Sequence, residues 1–172
     1  GGRMLYYGLS RVPYSFLDGG SDRDNFASLY DYSLSKIDAN QVVRRSLMNT
    51  KFDINLTAEV TEGVLTAGGE IRALDNLSAE NMTLYIAVTE KENKEYTGAE
   101  GENIFWNVFR KMIPDAGGTD MKKEWTKDET FVIQPQSWMI ENIRDNSMIE
   151  VIAFLQNNVT RIVYQASSVR DI

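Results

Sequence analysis

A chain of 172 residues, 42% hydrophobic and 25% charged, is that of an ordinary globular protein: one domain with a sizeable core, or one domain plus a fragment. Its formal charge of −7 argues against nucleic acid, whose phosphates need a basic face, and against electrostatic docking on an anionic membrane. The chain has no histidine and no cysteine, so a histidine base, an imidazole metal site, a disulfide, a thiolate nucleophile and thiolate-bound zinc are all excluded within it. No cofactor is expected, and no apolar run is long enough to span a bilayer as a helix.

The start, Gly1-Gly2-Arg3, has neither an initiator methionine nor a signal-peptide pattern. It reads as a processed chain whose targeting segment lies upstream. Residues 4 to 20 predict a loop, a short strand and a Gly-rich turn. Pro13 stands at the strand entry, where its missing N–H is tolerated, ahead of Tyr14, Phe16 and Leu17. The run Tyr7-Gly8-x-x-x-Val12-Pro13, followed by a strand and Asp18-Gly19-Gly20, resembles the late segment of a thioredoxin fold. That resemblance implies that Pro13 is the cis-proline that lies beside a redox dithiol. Two departures stand out: Tyr14 replaces the usual threonine, and the preceding βαβ half with its Cys-x-x-Cys is absent.

From Ser21 the period becomes helical. Ser21 or Asp22 caps a helix with Asp24 in its first turn, and Phe26, Leu29, Tyr30, Leu34 and Ile37 extend it over 22–37. A second helix, 39–48, carries Val42, Val43 and Leu47, with Arg44 and Arg45 near its C-terminal end. Asp18, Asp22 and Asp24 lack the glycine and closing glutamate of an EF-hand loop, so they read as turn and cap residues.

At Lys51 the period switches to two. Phe52, Ile54, Leu56, Ala58 and Val60 alternate with polar residues, Glu62-Gly63 turns the chain, and Leu65, Ala67, Gly69, Ile71 and Ala73 return on the same face. Gly68-Gly69 in mid-strand marks a bend or bulge. Met82, Leu84, Ile86 and Val88 make a third strand, and the spacing of the turns suggests a β-sandwich. Residues 91–102 read as a loop. Residues 104–113 fit a helix or a strand equally, ended by Pro114, Gly117 and Gly118. Phe131 and Ile133 begin a strand before Pro135, and Trp138 anchors the stretch that leads into the last hairpin. Trp106, Trp125 and Trp138 read either as core and edge packing or as a sugar-stacking platform.

Residues 148–166 are predicted to form that hairpin, turning tightly at Asn157-Asn158. The turn pairs Leu155 with Thr160, Ala153 with Ile162, Val151 with Tyr164 and Ile149 with Ala166, and gathers all but Thr160 on a core face. The second face holds Ile152, Phe154, Val159 and Val163 among Glu150, Arg161 and Gln165. Ile152, Phe154 and Val163 are expected to dock on the N-terminal helices against Phe26, Leu34 or Val43, worth about 4–8 kcal/mol before entropy. The fold class is mainly β. An immunoglobulin- or fibronectin-like antiparallel sandwich over 49–172 is preceded, over 1–48, by a short strand and helices from the end of a thioredoxin-like fold.

A wider resemblance rests on Asn103, Arg110, Met112, Pro114 and Gly118, and on Ile152, Phe154, Gln156, Val163, Gln165 and Ala166 of the closing hairpin. In these motifs, which are packing and turn residues, the chain is similar to the twenty-eight-kilodalton outer membrane protein family of bacterial surface lipoproteins. The resemblance implies a thioredoxin-like domain followed by an immunoglobulin-like one, in the cell envelope at the outer membrane or cell surface, held by a lipid anchor upstream of Gly1. It transfers no catalytic residue.

Three functions are compatible with this pattern of residues. The first is a non-catalytic surface or secreted module that contacts an unknown protein or surface ligand or gives structural support. The second is a fragment of a thioredoxin-like redox protein, with Pro13 contacting substrate and the dithiol upstream. The third is carbohydrate binding through Tyr6, Tyr7, Tyr96 or Trp125. The 25 Asp and Glu residues show no spacing that picks out an acid/base pair.

Overall fold

The computed structural model describes residues 5–10, 14–20, 30–31 and 34–172. The chain divides into two compact units, Gly1–Asn49 with Thr160–Val163, and Thr50–Val159 with Tyr164–Ile172.

The first unit departs most from expectation. Residues 14–17 form no strand and lead into a 3-10 turn, Asp18–Gly20, whose three residues all have positive φ. The apolar side chains there pack on one another instead of alternating across a sheet: Tyr14 lies 4.9 Å from Phe16, and Tyr7 5.2 Å from Phe16. Pro13, Ser21, Asp22, Asp24 and Phe26 lie outside the described residues. The helix expected over 22–37 is overturned from Tyr30 onward. There β1 (Tyr30–Asp31) pairs antiparallel with β2 (Lys36–Ile37), Tyr30 facing Ile37 across a turn that holds Ser35 at φ 49. Apolar residues at helical spacing meet equally well when the chain folds back and makes them cross-strand partners.

Helix α1 (Ala39–Ser46) forms where expected, because the Asp38 carboxylate accepts the backbone N–H groups of Asn40 at 3.0 Å and Gln41 at 3.3 Å. Arg44 and Arg45 complement the dipole at its end. Its apolar residues, however, point outward. Val42, Val43 and Leu47 are exposed, while Gln41 is buried and Arg45 donates to Asp18 at 2.7 Å. Leu34 and Val43, expected beneath the closing hairpin, are both more than half exposed.

The second unit is an antiparallel β-sandwich, the fold class the sequence predicted. One sheet has the order β10 (Thr130–Met139), β4 (Val64–Ala73), β3 (Phe52–Thr61). The other has the order β12 (Val163–Val169), β11 (Ile149–Asn157), β6 (Met82–Asn93), β7 (Phe105–Ile113), with β8 (Thr119–Asp120) also on β6. A small ladder joins β5 (Leu77–Ser78) to β9 (Glu124–Trp125). Residues 105–113 are thus strand, and β6 runs on to Asn93 before the polar loop starts.

Alternation builds the core. Phe52, Ile54, Leu56, Leu65 and Ile71 from one sheet meet Leu84, Ile86, Val88, Val151 and Leu155 from the other, each buried. Full burial of such a side chain is worth about 1.5–3 kcal/mol. Glu62 and Gly63 both adopt positive φ (51 and 80), the mirror-image turn whose twist suits a two-residue hairpin. Gly68-Gly69 does mark a bulge. Gln134 and Pro135 of β10 oppose Gly68 alone, placing the proline where it need not donate to the ladder. A Cβ on Gly69 would lie 2.0 Å from the Asn55 carbonyl oxygen, at φ 139.

The closing hairpin keeps its first strand and loses its turn. Ile149, Val151, Ala153 and Leu155 are fully buried, as predicted. Asn157, however, belongs to β11 and faces Met82, and the second strand begins only at Val163. The pairings proposed for Thr160 and Ile162 therefore do not exist, Ala166 is exposed, and Val159 is exposed in the loop. The two asparagines are held instead by the residues just ahead of β6. Asn157 Nδ2 donates to the Glu80 carbonyl at 2.8 Å, and the Asn158 backbone N–H to the Asn81 carbonyl at 2.9 Å. Arg161, at φ 67, supplies the left-handed residue of a longer loop.

Gly69→Ala is expected to destabilise the sandwich by about 3–4 kcal/mol, combining a left-side φ with a backbone clash. Gly63→Ala, where a Cβ meets nothing within 4 Å, should cost only the strain, about 1–2 kcal/mol. Urea unfolding of the two variants checks the difference.

Candidate functional site

The residues singled out from sequence lie on the side of the β6–β11 sheet away from the core. Ile152 and Phe154 are half-buried on β11, facing Ala87 and Tyr85 of β6. The Phe154 and Tyr85 rings stack at 5.2 Å with 26° between planes. Val163, also half-buried, opens β12 beside β11. On the other side of β6, Met112 faces Ala87 and the largely exposed Phe109 faces Thr89. With Val163 at its edge, an apolar band therefore crosses the adjacent strands β11, β6 and β7.

Polar groups close both ends of this band. At one end Tyr85 donates its hydroxyl to Asn158 Oδ1 at 2.8 Å, Asn158 Nδ2 donates to Thr83 Oγ1 at 2.8 Å, and Thr83 donates to Asp120 at 3.0 Å. At the other end Glu150, its side chain 2% exposed, accepts from Arg170 Nε at 2.6 Å, and Lys91 donates to the Arg170 carbonyl at 2.8 Å. Each such bond contributes roughly 0.5–1.5 kcal/mol net, rising where a charge is involved.

Sequence reading missed a second buried carboxylate. Glu90 continues the inward series Met82, Leu84, Ile86, Val88 by one more step, so its side chain enters the end of the core. Arg110 reaches it from the residue left unpaired where β7 bulges against β6. Its Nε donates to Glu90 Oε2 at 3.0 Å, its Nη2 donates to the same oxygen, and Asn93 Nδ2 adds a bond at 3.0 Å. The signal was an acid at core parity, with an arginine on the next strand. All three bonds converge on Oε2, so Glu90 acts as a strut that ties β6 to β7.

The aromatic candidates are scattered. Trp125 is core: 3% exposed, edge-on to Phe52 at 5.1 Å, and donating its indole N–H to the Lys122 carbonyl at 3.1 Å. Trp138 is half-buried against that core on β10, whereas Trp106 is 65% exposed on β7. These positions form no sugar-stacking platform, and Trp125 cannot stack on a ligand. Tyr6 and Tyr7 are half-buried and pack edge to face at 4.9 Å; Tyr96 is exposed. Among the described residues no group of three acids, histidines or cysteines could hold a metal ion.

Among the described residues the perturbed ionisable groups are on the surface. Asp38 is lowered chiefly by the Gln41 backbone N–H, Asp75 by Lys51, Glu80 by Lys123, Glu129 by Lys122 and Asp145 by Ser147; Lys123 is raised by Glu80. They mark caps, turns and exposed pairs.

No protein-family model and no curated protein matches the chain. Solved structures do. HBP35 of Porphyromonas gingivalis is similar with a TM-score of 0.59 at 15% identity, over 79% of this chain and 48% of that one. This chain therefore spans about half of that protein's length, and the likeness is one of fold. A domain of the outer membrane lipoprotein Omp28 from Porphyromonas gingivalis aligns with 72% of this chain and 90% of that one, at 15% identity and a TM-score of 0.49.

Arg110→Ala is expected to cost about 3–5 kcal/mol by stranding a buried carboxylate, whereas the double variant Glu90→Leu, Arg110→Met should unfold near the wild-type midpoint. Urea titrations of both separate the two outcomes. Acid titration gives a further check. Carboxylates whose pKa is lower in the folded state stabilise above their unfolded values, and that contribution is lost as pH falls through the folded ones. The Tm should hold from neutrality down to the ordinary carboxylate range and drop below it. Lys123, raised by Glu80, contributes fully below the ordinary lysine value and loses that contribution as the pH rises through its folded-state value.

Proposed function

We propose that this chain is a non-catalytic module of a bacterial outer-membrane lipoprotein, located in the cell envelope or at the cell surface, whose work is protein contact or structural support. One observation carries the reading: both buried carboxylates among the described residues, Glu90 and Glu150, are engaged by arginines as struts at the sandwich ends. The buried ionisable chemistry is thus structural, which leaves the surfaces of the sandwich as its working parts. The resemblance of residues 103–118 and of the closing hairpin to the surface-lipoprotein family supports the location, and the fold-level likeness to HBP35 is compatible with it.

In this reading residues 49–172 are an immunoglobulin-like sandwich, and residues 1–48, with Pro13 as a cis-proline, are the end of a thioredoxin-like domain. That end keeps helix α1 but not the strand expected at 14–17 or the helix expected beyond Tyr30. Ile152, Phe154 and Val163 offer the contact surface to a protein partner. Membrane attachment is through a lipid anchor outside this sequence.

Fractionation of cells that produce the parent reading frame tests the location. Recovery with the outer membrane, and cleavage by protease added to intact cells, is the expected result; recovery in the cytosol overturns it. A photo-crosslinking residue at Ile152 tests the contact, with one at the exposed Thr57 as control. A discrete adduct from position 152 and none from 57 is expected, and no adduct at 152 removes the contact surface from the proposal.

A further inference from the structure

The loop between β11 and β12 is longer than its sequence requires, and its residues belong elsewhere. β11 ends on Asn157, and Asn157-Asn158 could close a two-residue turn, yet β12 starts only at Val163. Thr160–Val163 form part of the compact unit built by Gly1–Asn49, and the chain returns to the sandwich at Tyr164. Within that unit the Arg161 guanidinium lies over the Tyr7 ring, 5.9 Å from its centroid. Tyr7 in turn packs on Phe16 at 5.2 Å and on Tyr6 at 4.9 Å, so Arg161 is joined to the unit's aromatic cluster. Arg161 does this at φ 67, a left-handed conformation that an L side chain adopts only when its surroundings hold it there.

We propose that the β11–β12 loop is a strap that completes the N-terminal unit, with Arg161 as its contact residue. The unit's aromatic cluster is capped by a cation delivered from the far end of the chain. Residues 5–10 and 14–20 therefore gain their full stability only once the β11–β12 hairpin exists, although they are synthesised first. A cation held over an aromatic ring at a partly exposed site provides the coupling.

Native-state hydrogen exchange of the whole chain, read by mass spectrometry, tests this. Arg161→Gly suits the left-handed conformation and keeps the loop's path while removing the guanidinium. Amides in residues 5–10 and 14–20 are expected to exchange about two- to fivefold faster, with β6 and β11 unchanged. Unchanged exchange in those residues overturns the proposal, and so does equal acceleration in β6 and β11, which would place the loop's effect in the sandwich. Tyr7→Leu keeps apolar packing and removes the ring face. On the Tyr7→Leu background Arg161→Gly should add nothing further to exchange in these residues; an equal added effect with and without the ring overturns the contact.

Discussion

The pairing of β11 with β6 is the constraint on which the rest of the sandwich depends. It runs without a break from Ile149 opposite Glu90 to Asn157 opposite Met82. A slip of one residue would turn Ile149, Val151, Ala153 and Leu155 away from Leu84, Ile86 and Val88, exposing most of one sheet's contribution to the core. Register also decides where the polar groups fall. With Ile149 opposite Glu90, the carboxylate comes to the end of the core within reach of Arg110. With Asn157 opposite Met82, the two asparagines reach the carbonyls of Glu80 and Asn81 and the hydroxyls of Thr83 and Tyr85.

These polar groups are costly in a core and informative for that reason. A buried pair such as Glu90–Arg110 adds little net stability over a hydrophobic replacement, but either half alone is strongly unfavourable. It therefore penalises any pairing of β7 with β6 other than the bulged one that lifts Arg110 toward Glu90. Glu150 and Arg170 act similarly where the C-terminal residues return to the sandwich, with Val169 and Ile172 packed against the core. Both pairs thus help to specify how the strands and the C-terminal residues pair.

The two units differ in how they are stabilised. The sandwich has one continuous apolar core shared by both sheets. The N-terminal unit relies on a small aromatic cluster, the Asp18–Arg45 ion pair, the cap at Asp38 and the loop that carries Arg161. Its helix turns the polar Gln41 inward and leaves Val42, Val43 and Leu47 exposed, the reverse of what amphipathic spacing leads one to expect.

The legibility of each feature in the sequence depends on the range of the interactions that build it. Strict alternation from Phe52 to Val88, the positive-φ turn at Glu62-Gly63, the bulge at Gly68-Gly69, the cap at Asp38 and the buried face of β11 are each written within a few neighbouring residues, so local pattern sufficed. The apolar second face bearing Ile152 and Phe154 was visible for the same reason. The rest depended on partners distant in the chain. Tyr30 and Ile37 have a spacing that serves helix or hairpin. Asn157-Asn158 would close a tight turn if residues 80–83 did not take up their amides, and Glu90 looks like a surface acid until Arg110 is brought beside it. By itself the sequence determined a β-sandwich with a defined inner face and no histidine or thiol chemistry. Only tertiary structure decided which polar groups are buried, which turn the closing hairpin makes and which unit its loop joins, because each is settled by competition between a local preference and a hydrogen bond or ion pair from another strand.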